Sequence, residues 1–134
     1  MTERVVCDAS TLVALLVDGG PAGRWVTATV TGVTLSAPHL VLFEAANVLR
    51  RQELAGLMSA DQAVQAHADL VDLPVELWPY DVLSPSAWAR RANLSIYDAT
   101  YVALAELIGA TLVTLDRRIA GAPGLRCTVV GPPA

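Results

Sequence analysis

Short apolar segments that do not alternate with polar residues constrain the fold of this chain most. They read "RVVC", "VTLSAP", "VELW", "ATLVTL" and "CTVV", and helical patterns separate most of them. Strands buried on both faces carry such continuous apolar runs, and parallel strands need helical crossovers between them. The pattern therefore predicts an α/β domain with a central, mostly parallel sheet and helices on both faces.

Helical patterns fill most of the sequence between these segments. We predict helices in "STLVALLV", with Ser10 as N-cap, in "GRWVTATV" and in "LVLFEAANVLRRQELAG". The next helix opens with a capping box formed by Ser59 and Gln62. Two further helices are predicted in "SPSAWARRAN" and in "YDATYVALAELIG", the second ending at Gly109.

Composition limits the class of protein. Charged residues make up only 16% of the chain and hydrophobic residues 54%, so we expect a large core and apolar surface buried by self-association. No segment approaches the ~20 apolar residues of a membrane-spanning helix, and Asp8 interrupts the first apolar run too early for a secretory signal. We expect one cytoplasmic domain spanning residues 1–134, with Cys7 and Cys127 unpaired.

The charged and catalytic side chains exclude several enzyme classes. The net charge is -4, all nine cations are arginines, and no lysine is present. A P-loop NTPase needs a lysine, and receiver domains and haloacid-dehalogenase-type phosphatases normally use one in the site. Ser–His–Asp chemistry would require His39 or His67, whose contexts are typical of structural or exposed positions.

Acidic residues at apolar positions are the strongest functional signal. Asp8 and Asp116 each follow a predicted strand, Glu44 lies in an apolar helix, and Asp98 stands at the front of another. Ligands of parallel sheets bind beyond the carboxyl ends of the strands, so Asp8 and Asp116 are expected to share a site. Taken singly, each acid also has a simpler explanation. The strand-end acids would serve as turn or cap residues, Glu44 would pair with Arg51, and Asp98 would cap its helix.

Taken together, the four acids favour a metal site. An isolated ionised carboxylate in an apolar environment costs on the order of several kcal/mol, and only a few arginines lie near these acids in sequence. A divalent ion would neutralise several carboxylates at once. Mg²⁺ and Mn²⁺ prefer oxygen ligands, and such an ion suits the hydrolysis of phosphodiester bonds.

Four segments, in this order and spacing, resemble a known family. They are "DAS" at 8–10, "EAANVLR" at 44–50, "YDATYVALA" at 97–105 and "TLD" at 114–116. The chain resembles the PIN domain and, within that family, the VapC-type toxins of bacterial toxin–antitoxin pairs. The resemblance implies a parallel sheet flanked by helices and Mg²⁺- or Mn²⁺-dependent endoribonuclease activity.

The resemblance also implies roles for individual residues. Asp8 and Asp98 would bind the metal directly, Asp116 would be a further or water-mediated ligand, and Glu44 would hold or activate the attacking water. Hydroxyl groups at two positions would support this cluster, those of Ser10 and Thr114.

Partners follow from the same resemblance. It implies an RNA substrate, a homodimer, and a cognate antitoxin that inserts a segment near the acids. The alternative is a catalytically degenerate PIN fold that binds RNA or a protein without cleavage. The presence of all four acids counts against that alternative, because RNA binding alone would favour cations.

Overall fold

A computed structural model of the chain describes residues 3–133, which form five strands with helices between them. The strands are β1 (Arg4–Cys7), β2 (Thr34–Pro38), β3 (Val75–Trp78), β4 (Thr111–Val113) and β5 (Val129–Val130). The helices are α1 (Ala9–Val17), α2 (Pro21–Val30), α3 (Leu40–Leu54), α4 (Ala60–Asp72), α5 (Tyr80–Ala89), α6 (Ile96–Ile108) and α7 (Arg117–Ala120).

The strands form one sheet in the order β3-β2-β1-β4-β5, and every neighbouring pair is parallel. This confirms the predicted α/β class. The chain builds the sheet in one direction from β1 to β3 and then crosses back to β4. Because parallel crossovers are right-handed, the reversal places the connecting helices of the two halves on opposite faces. The turning point lies between β1 and β4, where such sheets bind their ligands.

Helix packing agrees with this two-sided arrangement. Helices α1 to α4 pack against one another, whereas α5 packs against α6, which also contacts β1, β2 and β4. The apolar run of α6 is almost entirely buried, from Ala99 to Ala105, so this helix forms much of the core. Its first turn therefore has a fixed position relative to the end of β1.

Local signals placed several helix ends correctly. The capping box of Ser59 and Gln62 begins α4, with both reciprocal hydrogen bonds formed. Gly109 follows α6 in the left-handed conformation, with φ of 66°, which a glycine adopts without strain. Cys7 and Cys127 are unpaired, as predicted. Within residues 3–133, no helix has the length and apolar character that crossing a membrane requires.

Helix α5 differs from its prediction at both ends, since it also ends at Ala89, four residues before the predicted Asn93. It begins at Tyr80, four residues before the predicted Ser84, and contains Pro85 in its interior. Proline cannot donate to the carbonyl group four residues earlier, which belongs to Asp81. The hydroxyl of Ser84 donates to that carbonyl oxygen instead, at 3.0 Å, so the helix tolerates the proline.

Two predicted caps were wrong. The N-cap of α1 is Asp8 rather than Ser10, and the N-cap of α6 is Ser95 rather than Asp98. An N-cap residue is extended and precedes the helix, whereas Ser10 and Asp98 already lie within the first turn. Asp98 donates its backbone N–H to the Ser95 hydroxyl at 3.1 Å, which leaves the carboxylate of Asp98 free for another role.

Candidate active site

A cleft of about 330 Å³ opens at the carboxyl ends of β1 and β4, where the direction of sheet construction reverses. The structure brings all four acids predicted from the sequence to this cleft. The residues that line it are Asp8, Ala9, Ser10, Glu44, Asn47, Val48, Arg51, Asp98, Tyr101, Asp116 and Arg118. Both histidines, His39 and His67, are exposed and lie outside it.

Asp8 is the most buried of the acids, with 6% of its surface exposed. It directly follows β1 and begins α1, so its position is determined by the sheet and the helix together. Its Oδ1 atom accepts hydrogen bonds from the Ser10 hydroxyl at 2.7 Å and from the backbone N–H of Thr11 at 3.0 Å. Its Oδ2 atom accepts a bond from the hydroxyl of Thr114. Oδ2 therefore keeps acceptor capacity for a ligand in the cleft.

Ser10 and Thr114 connect the ends of the two central strands. The Ser10 hydroxyl donates to Asp8 and accepts from the backbone N–H of Leu115 at 3.1 Å. The Thr114 hydroxyl likewise donates to Asp8 and accepts from the backbone N–H of Asp116 at 2.9 Å. Each hydroxyl is oriented by the bond it accepts, so both protons point at Asp8. These contacts are what a supporting role for the two residues requires.

Glu44 reaches the cleft from α3. The buried hydroxyl of Tyr101 on α6 donates to its Oε1 atom, and Glu44 forms no ion pair with Arg51. The helix-local pairing considered from the sequence is therefore wrong. Burial raises the pKa of Glu44, the Tyr101 hydrogen bond opposes that rise, and the charges of Asp98 and Asp8 reinforce it. Glu44 thus forms no ion pair within the part of the chain that the structure describes.

Asp98 enters the cleft from the first turn of α6, where a negative charge interacts favourably with the helix dipole. Burial raises the pKa of its carboxyl, and the negative charge of Asp116 raises it further. Arg118 and the Ser95 hydrogen bond act in the opposite direction without cancelling the rise. Asp98 and Glu44 are therefore each repelled by two other acids of the cleft, Asp8 among them in both cases, as expected of a site for a cation.

Asp116 differs from the other acids because it has a cationic partner. Arg118 donates from Nε to Oδ1 at 3.0 Å and from Nη2 to Oδ2 at 2.7 Å. Asp116 also caps α7 by accepting the backbone N–H of Arg118 at 3.0 Å. The hydrogen bond from Arg118 lowers the pKa of Asp116. This carboxylate is fully ionised and already neutralised.

The donor set of the cleft fits a hard divalent cation, because it consists of carboxylate oxygens. Two of the carboxylates, those of Glu44 and Asp98, form no ion pair within residues 3–133. The side chains are not yet arranged around a single point. Among residues 3–133, no three acids, histidines or cysteines converge closely enough to surround one ion. Asp116 faces Arg118 and Glu44 faces Tyr101, which accounts for the spread. Metal binding by Asp8, Asp98 and Asp116 stays a prediction.

Sequence reasoning missed two residues of the cleft. Tyr101 lies three residues after Asp98 on the same helix, and a buried tyrosine normally finds a hydrogen-bond partner for its hydroxyl. That rule signals a polar contact but does not identify Glu44, 57 residues away, as the acceptor. Arg118 follows Asp116 by two residues, and its position gave no sign that it would bind that acid.

Comparison with known proteins agrees with this geometry. A family model described as "PIN domain" matches residues 5–125. Ribonuclease VapC9 of Mycobacterium tuberculosis is 36% identical over 129 residues, covering 96% of this chain and 98% of the relative. Ribonuclease VapC1 of the same organism is 34% identical over 128 residues, covering 95% and 96%.

The fold has solved counterparts as well. The chain superimposes with a TM-score of 0.68 on a chain of a toxin–antitoxin complex from Klebsiella pneumoniae, at 18% identity, covering 96% of this chain and 98% of that one. The family match and the two curated relatives each extend over most of the sequence. The chain therefore belongs to the PIN domain family, among the VapC ribonucleases.

Proposed function

We propose that this chain is a metal-dependent endoribonuclease, the toxin of a toxin–antitoxin pair, which hydrolyses RNA phosphodiester bonds in the acidic cleft. The observation that carries the proposal is the meeting of Asp8, Glu44, Asp98 and Asp116 in one cleft of a chain that belongs to the VapC ribonucleases. Burial raises the pKa of Glu44 and of Asp98, and the charges of neighbouring acids raise both further, which folding alone would not favour.

Asp8, Asp98 and Asp116 would hold Mg²⁺ or Mn²⁺. When bound, such an ion lowers the pKa of water and stabilises the negative charge that develops on the phosphate. Asp8 would be the fixed point of the site, because Ser10, Thr11 and Thr114 hold its oxygens in place. Asp98 would be more adjustable than Asp8, because among the described residues the neutral support of its carboxylate comes from Ser95 alone.

Glu44 would act as the proton acceptor. Tyr101 occupies its Oε1 atom, and no hydrogen bond from residues 3–133 occupies Oε2, which would be left for the attacking water. A carboxylate with a raised pKa is a better base, provided that it remains ionised at the working pH. The water oxygen forms a bond to phosphorus as its proton passes to Glu44, one ester P–O bond breaks, and the departing oxygen takes a proton from solvent.

Partners are proposed from the relatives. The curated relatives are ribonucleases, and the Klebsiella protein was solved as a toxin–antitoxin complex. We accordingly propose RNA as substrate, a separate antitoxin chain as inhibitor, and a homodimer that works in the cytoplasm. Exposed apolar side chains such as Phe43, Leu54 and Leu57 leave surface available for protein contacts. Residues 1–134 would form the single nuclease domain.

The test is RNA cleavage by the purified chain, freed of any partner. Reactions contain Mg²⁺, Mn²⁺ or chelator, and an Asp98→Asn variant prepared identically controls for contaminating nucleases. Metal-dependent cleavage that the variant lacks would support the proposal. Absence of both cleavage and metal binding would overturn it and favour a PIN fold that binds RNA or protein without cleaving.

A further inference from the structure

Arg118 occupies both oxygens of Asp116, one of the acids assigned above to the metal. Nε and Nη2 donate to Oδ1 and Oδ2 respectively, and the backbone N–H of Arg118 adds a second bond to Oδ1. Two bonds are the ordinary acceptor capacity of one carboxylate oxygen, so Oδ1 is full. A cation that binds Asp116 through Oδ1, or through both oxygens, must first displace the guanidinium.

The positive charge of Arg118 strengthens its competition with a divalent ion for Asp116, beyond the effect of the hydrogen bonds alone. A guanidinium beside Asp116 repels any divalent ion held by the same carboxylate, because the two positive charges would lie only a few ångströms apart. It also lowers the pKa of Asp116. Asp116 is therefore poorly available to a metal while Arg118 stays in place.

The Arg118 side chain can leave Asp116 for another partner at little cost in stability. The Arg118 side chain is 86% exposed, and its side-chain hydrogen bonds within residues 3–133 all go to Asp116. Ion pairs with so exposed a partner contribute little to stability. The cap of α7 would survive release, because it depends on the backbone N–H of Arg118 rather than on the guanidinium.

Arg118 also stands where substrate would enter. A second groove, of about 400 Å³, adjoins the acidic cleft, and Asp98 and Arg118 are the residues that line both. An RNA strand that passes from this groove to the acids would cross Arg118. The planar guanidinium group, which binds a carboxylate through two N–H groups, binds a phosphate in the same way.

We propose that Arg118 exchanges partners during the reaction: it holds Asp116 until a divalent ion takes that carboxylate, and then binds a phosphate of the RNA at the mouth of the cleft. Arg118 is thus a substrate-binding residue and a gate for the metal. The inference rests on the proposed nuclease function for its RNA half. Its metal half concerns the protein alone and can be tested without RNA.

The first measurement is Mn²⁺ affinity by titration calorimetry in the absence of RNA. Arg118→Ala should bind Mn²⁺ with a Kd roughly three- to tenfold lower than the wild type, since one competing positive charge is removed. Arg117→Ala is the matched control, because Arg117 does not line the cleft and donates to the carbonyl of Pro132 instead. Its Kd should equal that of the wild type. Arg118→Gln, which keeps most of the bulk, should behave like Arg118→Ala.

The second measurement is cleavage of a short randomised RNA pool at saturating Mn²⁺. Arg118→Ala should lower kcat/KM by roughly tenfold through a higher KM, as the loss of a charge-assisted contact predicts. Arg118→Lys should recover part of the loss, because it keeps the charge without the fork. Arg117→Ala should cleave at the wild-type rate.

The outcomes separate the two halves. Tighter Mn²⁺ binding combined with poorer cleavage in Arg118→Ala supports the exchange. Unchanged or weaker Mn²⁺ binding overturns the gate, since Arg118 would then merely orient Asp116, and unchanged cleavage overturns the phosphate contact. If the wild type cleaves no RNA with either metal, the proposed function fails, and the Mn²⁺ comparison still decides whether Arg118 competes for Asp116.

Discussion

Helix α6 carries two acids in contrasting environments. Glu106, near its end, pairs with Arg90, and both side chains are only 15% exposed. Its other oxygen accepts the backbone N–H of Arg126 at 2.7 Å. Asp98, in the first turn, forms no ion pair within residues 3–133 and lies near Asp116 and Asp8, with Arg118 acting on it only at a distance. Glu106 therefore has its partners within the fold, whereas Asp98 is available to bind a ligand.

The arginines of the chain show the same contrast. Arg90 is largely buried, and it donates to the carbonyl of Gly124 at 3.2 Å as well as to Glu106, which fastens the C-terminal segment to α5 and α6. Arg118 is exposed, and its side chain bonds only to Asp116 among the described residues. The same pair of side-chain types therefore forms a structural clamp in one region and an exchangeable contact in the other. Burial decides between the two roles.

The largest expected effect is on activity at Asp98. Asp98→Asn should reduce RNA cleavage by about 100-fold or more, since the loss of one metal ligand removes several kcal/mol of transition-state stabilisation. Its melting temperature in chelator should equal or exceed that of the wild type, because repulsion with Asp116 and Asp8 is relieved. Cleavage kinetics and thermal melts measure both. A variant that unfolds would show that Asp98 is a structural acid like Glu106.

Glu106→Gln is the matched change at the other end of α6. It should lower the free energy of unfolding by about 3 kcal/mol, because it leaves the largely buried guanidinium of Arg90 without a counter-charge. Urea denaturation measures this loss. The cleavage rate of the remaining folded protein should match the wild type. Equal stability of the wild type and Glu106→Gln would contradict a stabilising role for the Arg90–Glu106 pair.

Tyr101→Phe should have an intermediate effect. The hydrogen bond from Tyr101 lowers the pKa of Glu44, so its removal should raise that pKa further. The rise of cleavage with pH should then shift to higher pH, with a greater loss on the acidic side of the profile than on its plateau, because a general base must be deprotonated. A pH profile unchanged in position would show that Glu44 does not accept the proton. The stability loss should be about 1 kcal/mol, as for one hydrogen bond.

The smallest effect is the pH dependence of stability in chelator. The pKa values of Asp98 and Glu44 are raised above their ordinary 3.8 and 4.5, so the folded protein binds more protons than the unfolded chain between the ordinary and raised values. Stability must therefore fall as pH rises through that window. Asp116, with a lowered pKa, acts oppositely, and its contribution is lost only as pH falls below 3.8.

Thermal melts of the wild type and Asp98→Asn across this window test the sign. The advantage of the variant should grow by a few degrees as pH rises, because it lacks one of the acids that lose protons. Glu106→Gln, measured alongside, should show no such growth. If wild-type stability rises throughout the window, the acids of the cleft are paired rather than poised for a cation.

The sequence predicted the fold class and the four acids because both depend on local patterns. Continuous apolar runs indicate buried parallel strands, and an acid such as Glu44 within an apolar helix stands out without any knowledge of its partners. Helix ends with local chemistry, such as the capping box at Ser59 and the glycine at 109, were also correct. The caps of α1 and α6 were wrong because several neighbouring residues could serve as caps.

The long-range partners of Asp8 and Glu44 were decided by the tertiary structure. The hydroxyl of Thr114 holds Asp8 across 106 residues, and Tyr101 bonds Glu44 across 57. Such contacts exist because the crossover from β3 to β4 returns the chain to the far side of β1, which no local pattern encodes. The sequence by itself determined that four acids would lie in apolar surroundings. The pairing of Asp116 with Arg118 is local, because only two positions separate them along the chain. Only the packing of α6 against the central strands brought Asp98 close to Asp116 and Asp8, because charge interactions depend on distance in space rather than along the chain.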